Sequence, residues 1–586
     1  MVRLLSLVSI FALAGVFALG QTPLTMRPEM NAKRYAIAAG RQFAVEAGMR
    51  MFREGGNAFD AGAAAILAAS VSEIQLFGFG GEAPAILYDA KTKKVYVVSG
   101  QGLSPAAATL EQWAGKPYIE YSGPRAATVP AVLDSVSLIL SRFGTKRLSE
   151  VMAPAIDLAD GFPVYGILHR ALVRERKNCE RYPSTMAVYY PNGRTPEIGE
   201  LFVQKDLGKT LRTIAAAEEA EWARSKDRLK AIEAGRSAFY AGDVARRLVK
   251  ATRDAGGLLA EEDLARFRSH LEAPLTTDYR GYQVCKAGFW TQGPVMLQTL
   301  NILSGYDLKS MGHDSAAYVH TVTEAMKLAF DDRDAYYGDP DFTKVPGERL
   351  LSAAYADDRR KLIDPASASK SHRPGGLPSS TPVASDGGHT GGDTTSVNAV
   401  DAQGNLISAV VSGAWVLEGA FIAGDTGVPL SQRMQQFSLD PKSPNVVAPR
   451  KRPRITLTPT LVMKDGRPYL AVSTPGGDTQ DQQNLNVLLA HLDFGLPIQQ
   501  AIEAPRFNSE HMRSSFGTHD EHPGRLTIED TFGQAVLDGL KEKGHELAIV
   551  GAFRMPTAVT AVGIDPKTGT LFGGADVRGE RWIAGW

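Results

Sequence analysis

Two short segments carry residues whose types and spacing could do chemistry. The first is Asp393-Thr394-Thr395-Ser396. A threonine hydroxyl is a weak nucleophile until a base takes its proton. If the chain is cut before Thr394, the new α-amino group lies beside the hydroxyl. With an ordinary pKa of about 8, that amine can act as the base. One residue then supplies both nucleophile and base, provided that a loose segment precedes it and a rigid strand follows. By itself, a Thr-Thr pair after a loop is also how an ordinary strand begins. The second segment is YLAVSTPGGDTQ, residues 469–480. It predicts a buried strand, a Gly476-Gly477 turn and a helix from about Asp478. Backbone N–H groups bare of side chains, at a positive helix start, can hold the oxyanion of a tetrahedral intermediate. A plain strand-to-helix turn reads the same way when taken alone.

The elements that must position these residues follow from pattern. Apolar residues at helical spacing from Ala44 to Glu54, closed by Gly55-Gly56-Asn57, predict a helix. A second, Ala-rich helix from about Ala58 to Ser72 has small residues at nearly every position, which predicts close packing on all sides. Gly78 to Gly81 (GFGG) predicts a tight turn. Ala85–Ser99, Val397–Val411 and Val559–Phe572 each read as strand, polar turn and strand. Their Val, Ala and Ile content suits burial on both faces. The charged run from Ala215 to Ala234 predicts helices with solvated faces, and Ala317–Tyr337 an amphipathic helix. From Asp364 to Asp393 large apolar residues become rare, which predicts a mobile tether running directly into the strand that begins at Thr394.

Bulk composition narrows the function classes. The chain has 586 residues, enough for several domains or one large composite fold. It has 64 Lys+Arg against 64 Asp+Glu, so no net charge draws it to nucleic acid or an anionic membrane. Its two cysteines, Cys179 and Cys285, exclude a disulfide scaffold and a cysteine-rich metal site, while leaving open whether they pair with each other. Residues 1–20, with Arg3 ahead of a continuous apolar run and small residues Ala18 and Gly20, read as a signal peptide cut before Gln21. Left uncut, the same run would be a membrane anchor. The expected location is therefore outside the cytoplasm, periplasmic or secreted.

The ordered motifs resemble the γ-glutamyltransferase family of N-terminal-nucleophile hydrolases over nearly the whole mature chain. They include AVEAGMRMFREGGNAFDAGAAAILAASVSE, GFGG, GGLLAEEDLARF, HTVTEAMKLAFDDRDAYYGDPDF, DTTSVNAVDAQGN, STPGGDTQ and IDPKTGTLFGGAD. The resemblance implies an α+β fold, an αββα sandwich, and a precursor that cuts itself between Asp393 and Thr394. The large subunit would span 21–393 and the small subunit 394–586. It also implies an acyl-enzyme on Thr394 that passes its acyl group to water or an amine. No cofactor or metal is implied, and the only partners are a small amide or γ-glutamyl-like substrate and the two subunits of one precursor.

Carried over residue by residue, the family's nucleophile falls on Thr394 and its oxyanion pair on Gly476 and Gly477. The hydroxyl that bonds the nucleophile falls on Ser412, and either Ser412 or Thr395 is expected to orient Thr394. The glutamyl-reading positions differ. The family's Arg for the α-carboxylate falls on Gln101, its Asp for the α-ammonium on Gln436, and its paired serines on Ile455 and Thr456. An Asn beyond the second hydroxyl falls on Ala414. A charge-assisted hydrogen bond is worth ~1.5–3 kcal/mol, so these neutral residues imply weakened γ-glutamyl recognition. Arg433 or Arg454 could take a carboxylate placed differently, and Trp415 could form an aromatic wall. The segment Phe437–Pro453 looks short for the family's lid, which would open the site to bulkier acyl groups and to water. The reading favoured is a self-processing amidohydrolase. Its alternatives are an authentic glutathione hydrolase or transpeptidase, and a catalytically silent relative that only binds a ligand or partner.

Other signals point elsewhere. His511, His519 and His522 lie near Glu510, Asp520 and Glu521 without a standard zinc spacing, which suits a polar loop. His389 lies close in sequence to the cut. The basic run Arg450-Lys451-Arg452 is short and isolated, and GFGG lacks the residues of a phosphate loop.

Overall fold

The computed structural model describes residues 25–376 and 394–586. The segments expected to be a signal peptide and the end of the tether, with His389 and Asp393, lie outside the described residues. Two seven-stranded sheets dominate. One runs in the order Trp582–Gly585, Tyr35–Ala39, Thr394–Asp401, Leu406–Ser412, Ala85–Asp89, Lys94–Val98 and Leu271–Glu272. The other runs Met30–Ala32, Leu571–Ala575, Thr560–Ile564, Arg467–Ser473, Thr460–Lys464, Tyr282–Lys286 and Leu275–Tyr279. Neighbouring strands in both are antiparallel.

Three apolar layers hold this arrangement together, which makes it an αββα sandwich. Between the sheets, Ile86, Val400, Leu406 and Val410 meet Leu457, Leu461, Ala471 and Val562. Outside the first sheet, the helices Gln42–Arg53 and Ala58–Ser72 pack on Val397, Ala399, Ile407 and Ala409. Outside the second, the helices Pro294–Leu303, Ala316–Tyr336 and Gln480–Leu492 cover Val462, Leu470 and Val472. The Ala-rich helix matches its expected bounds, and every one of its residues is buried. Its start is fixed by a capping box between Asn57 and Asp60. The three predicted hairpins form, with the turn of the second at Asp401.

The strand Thr394–Asp401 is buried at every position. Its side chains alternate between the helix layer and the inter-sheet layer. Val397 and Ala399 face the helices, whereas Ser396, Asn398 and Val400 face the other sheet. The polar pair there is fully bonded. Ser396 Oγ lies 3.0 Å from Thr560 Oγ1, and the Asn398 amide donates to Ser473 Oγ at 2.8 Å and to the Thr560 carbonyl at 3.0 Å. These bonds fix the two sheets against each other at the end where the strand begins.

Two expectations fail, for one reason. The helix Ala316–Tyr336 is not amphipathic in the usual sense, because almost everything from Tyr318 to Tyr336 is buried, Glu324, Lys327, Asp331 and Asp332 included. Nor is the tether loose from Asp364. Its first part lies along that helix and satisfies its charges. Lys327 Nζ donates to Glu324 at 2.6 Å and to the Ser369 carbonyl at 3.0 Å. Arg373 reaches Glu324 at 3.0 Å, His372 Nδ1 lies 2.7 Å from Asp331, and the Gly375 N–H donates to Asp332 at 2.9 Å. A segment poor in apolar residues is ordered here by charge pairing rather than by hydrophobic burial. Cys179 and Cys285 are both free, buried in separate cores. Among the described residues no helix is long and apolar enough to cross a membrane.

The strap formed by 369–376 has a defined pH response. The hydrogen bond to Asp331, with its charge, raises the His372 pKa above the ordinary histidine value. A raised folded-state pKa gives a contribution fully present below about pH 6.5 and lost as pH rises through the higher folded value. Hydrogen exchange, corrected for intrinsic rates, should show the Arg373 and Gly375 amides well protected at pH 6 and less so at pH 8.5. In His372→Ala the two amides should be poorly protected at both.

Candidate active site

Thr394 heads a central strand, and register places it directly opposite Ser412 of the neighbouring strand. Their hydroxyl oxygens are 3.1 Å apart, and both residues are buried. Strand alternation turns Thr395 to the opposite face. Its hydroxyl accepts from Arg581 Nη1 at 3.0 Å, and Arg581 in turn stands 3.8 Å from the buried Glu73. Thr395 therefore anchors the strand's start and does not share the face of Thr394, so of the two hydroxyls expected to orient Thr394, Ser412 or Thr395, it is Ser412 that bonds it.

The GFGG turn is explained by close approach. A Cβ at Gly81 would collide with the carbonyl oxygen of Ser412, and one at Gly80 with that of Pro429. Only glycine lets the turn lie flat on the backbone of 412–414. The next residue, Glu82, exchanges backbone hydrogen bonds with Ser412 in both directions, at 2.8 and 3.1 Å. Its carboxylate is fully buried and accepts from Ser431, from Thr128 Oγ1 at 3.3 Å and from Arg433 Nε at 3.1 Å. Burial pushes the Glu82 carboxyl up and the Arg433 guanidinium down, and their mutual attraction opposes both shifts. Arg433 also lies over the Trp415 ring, 5.0 Å from its centroid. Gln432 fixes that ring's backbone, accepting from the Ala414 N–H and donating to the Trp415 carbonyl, both at 2.9 Å.

Thus Thr394, Ser412, Arg433 and Trp415 form one connected chain of contacts through Glu82. Glu82, Ser431, Thr128 and Gln432 escaped the sequence reading. The available signal was Glu82 itself, an acid placed between a glycine-rich turn and the apolar run Ala83–Leu87.

Gln101, Gln436 and Thr456 are not hydrogen-bonded to Thr394, yet they share a property with Arg433 and Trp415. Each carries a buried polar atom without a hydrogen-bond partner: Gln101 Oε1, both ends of the Gln436 amide, Thr456 Oγ1, Trp415 Nε1, and Nη1 and Nη2 of Arg433. Buried polar groups are almost always paired, so atoms of this kind suit completion by another molecule. Arg454, the other candidate cation, has both terminal nitrogens committed and only Nε without a partner. It donates to Asp334 at 3.1 Å and to Ser515 Oγ at 3.0 Å.

Gly476 and Gly477 have φ of 127° and 56°, conformations that side chains disfavour. Thr479 N–H bonds the Gly476 carbonyl at 3.0 Å and Gln292 bonds the Gly477 carbonyl at 3.1 Å. A short 3₁₀ turn, Gly477–Thr479, precedes the helix, which begins at Gln480 rather than at Asp478. The turn follows the strand end at Ser473 that Asn398 holds, so it belongs to the facing sheet.

The segment Phe437–Pro453 is bonded to itself and to the backbone of Gln436. Asn445 donates to the Gln436 carbonyl at 2.6 Å, and Lys451 Nζ bonds the carbonyls of Pro444 and Val446, each at 2.9 Å. Tied to itself and to Gln436, the short segment packs down, and Gln436 is fully buried. Arg452 is paired with Asp339 and Glu272 inside the protein, so the basic run is no surface patch. His511 joins Asp331 and His372 instead of His519 and His522. Its Nδ1 accepts from the Gly524 N–H at 3.1 Å, which leaves the ring proton on Nε2, facing the cluster. A protonated Nε2 does not fit a metal ligand.

Two packed antiparallel sheets between helix layers define the N-terminal-nucleophile hydrolase fold. The solved cephalosporin acylase from Bacillus halodurans has it at a TM-score of 0.84 and 28% identity, covering 97% of this chain and 99% of that one. The family model for gamma-glutamyltranspeptidase matches residues 44–586, and the chain belongs to that family. A glutathione hydrolase-like proenzyme of Bacillus subtilis (strain 168) is 34% identical over 95% of this chain and 99% of its own. An acylase proenzyme of Pseudomonas sp. (strain SE83) is 31% identical over 94% of this chain and 93% of its own.

The fit of the GFGG turn can be tested. Gly81→Ala should lower the unfolding free energy by about 1–3 kcal/mol, the usual cost of overpacking, because backbone must yield. Denaturant titration in an uncut Thr394→Ala background reads this without the complication of two separate chains.

Proposed function

We propose that this chain is an exported, self-processing amidohydrolase of the γ-glutamyltransferase type. The precursor cuts itself between Asp393 and Thr394, after removal of residues 1–20, to give a large subunit 21–393 and a small subunit 394–586. The observation that carries this reading is the buried pair of hydroxyls, Thr394 and Ser412, at the head of a rigid central strand. The proenzyme names of the relatives support it.

In the mature enzyme the Thr394 hydroxyl attacks the carbonyl carbon of an amide. Its own α-amino group accepts the hydroxyl proton and later delivers it to the departing amine. Ser412 bonds the threonine oxygen and holds it on the attack trajectory. The N–H groups of Gly476 and Gly477 stabilise the oxyanion. Water, activated by the same amine, then hydrolyses the threonyl ester. The substrate is a small amide, and Gln101 and Gln436, being neutral, do not read a zwitterionic γ-glutamyl group well.

The intact mass of purified protein tests the assignment. Wild type should yield two pieces, the smaller beginning at Thr394, whereas Thr394→Ala should stay whole. If both stay whole, Thr394 is not the nucleophile. In Ser412→Ala, kcat should fall about 10- to 100-fold, as expected for loss of one aligned bond to a reacting oxygen.

A further inference from the structure

We propose that Arg433, held in place by Glu82, is the specificity residue of this site. The acyl group it selects ends in a free carboxylate and carries no α-ammonium, as in the half-amide of a dicarboxylic acid. This rests on Thr394 being the acylated residue.

The donor inventory of Arg433 is the starting point. A guanidinium has five N–H groups in a rigid fork. Nε is committed to Glu82, and both terminal nitrogens are buried without a partner. The Nη1–Nη2 edge of a guanidinium is the one that receives a carboxylate through two parallel bonds. Arg433 is 1% exposed, so water cannot serve freely in its place. The Trp415 ring closes one face of the guanidinium, which restricts approach to its edge.

Charge accounting then removes the ammonium. The oxygens of Glu82 are already engaged by Arg433, Ser431 and Thr128. Gln101 and Gln436 present neutral amides whose partnerless atoms can bond an acyl chain but cannot neutralise a cation. An α-ammonium placed at this group would be desolvated beside a guanidinium whose one carboxylate partner, Glu82, is already engaged. A fully apolar acyl chain would instead leave the Arg433 donors unsatisfied.

Geometry adds selection by length. Arg433 is fixed to Glu82, the Glu82 backbone is fixed to Ser412, and Ser412 bonds Thr394. Every link is a buried hydrogen bond, so the distance between carboxylate anchor and nucleophile is set by the fold. One chain length should fit best.

The test is a series of dicarboxylic acid mono-anilides, from oxanilic to glutaranilic acid, with the methyl ester of each and γ-glutamyl anilide, assayed on the self-cleaved protein by aniline release. Expected is a maximum in kcat/KM at one chain length. There the free acid should exceed both its methyl ester and γ-glutamyl anilide at least tenfold, mainly through KM. In Arg433→Gln with Glu82→Gln, which removes both buried charges together and avoids stranding one, the acid-to-ester ratio should collapse to within about threefold of unity. If cut wild-type protein hydrolyses ester and acid equally, or if the double variant keeps the acid preference, the Arg433 assignment is wrong while the amidohydrolase reading stands. If the protein neither cuts itself nor releases aniline from any substrate, the reading beneath it is wrong as well.

Discussion

A polar side chain, Thr394, is buried at the head of a central strand, and the rest of the molecule answers the demand this makes. Thr394 sits where both faces of its sheet are covered, so each polar group near it needs a partner. Ser412 meets the Thr394 hydroxyl, Arg581 meets that of Thr395, and Asn398 and Ser396 are tied across to Thr560 and Ser473. Each partner comes from a different part of the chain, so no local segment could build the site alone. The glycine-rich turn 78–81 serves the same demand. It gives up side chains so that Glu82 can pair with the Ser412 backbone and carry a buried charge beside the site.

Buried charge is the second theme. Glu82 with Arg433, Lys286 with Asp481, and Lys327 with Glu324 are nearly or wholly inaccessible pairs. Such pairs gain little net stability, since desolvation offsets most of the attraction, but removing one partner is costly. They therefore act as fixed points of geometry. Arg433 differs from the other two cations in having unsatisfied donors left over. The recognition role proposed for Arg433 depends on that difference.

The chain's pattern disclosed much of this, unevenly. The Ala-rich helix, the hairpins and the strand beginning at Thr394 were readable because local periodicity and turn residues specify them. The opposition of Thr394 and Ser412 followed from the motif and is fixed by register. The strap 369–376 was misread because composition reports hydrophobic burial and is silent about pairing with charges on a distant helix. The same blindness hid Glu82, whose partners Thr128, Ser431 and Arg433 are far away in sequence. The choice between Arg433 and Arg454 was likewise closed to pattern, since it depends on which guanidinium has its terminal nitrogens already bonded by the fold.

The first sheet alternates between the two sides of the proposed cut. Tyr35–Ala39 lies between Trp582–Gly585 and Thr394–Asp401, and Leu406–Ser412 lies between Thr394–Asp401 and Ala85–Asp89. Strands from before and after the cut are thus interleaved in one hydrogen-bonded ladder, and the second sheet mixes them as well. Cleaving one peptide bond cannot liberate either fragment, because neither owns a complete sheet or a core. The cut is in effect a one-way step in the history of the fold. An intact precursor reaches the structure by intramolecular folding, whereas separated fragments would have to find each other and thread strands between strands. Durability after the cut then rests on a slow unfolding rate rather than on a reversible equilibrium.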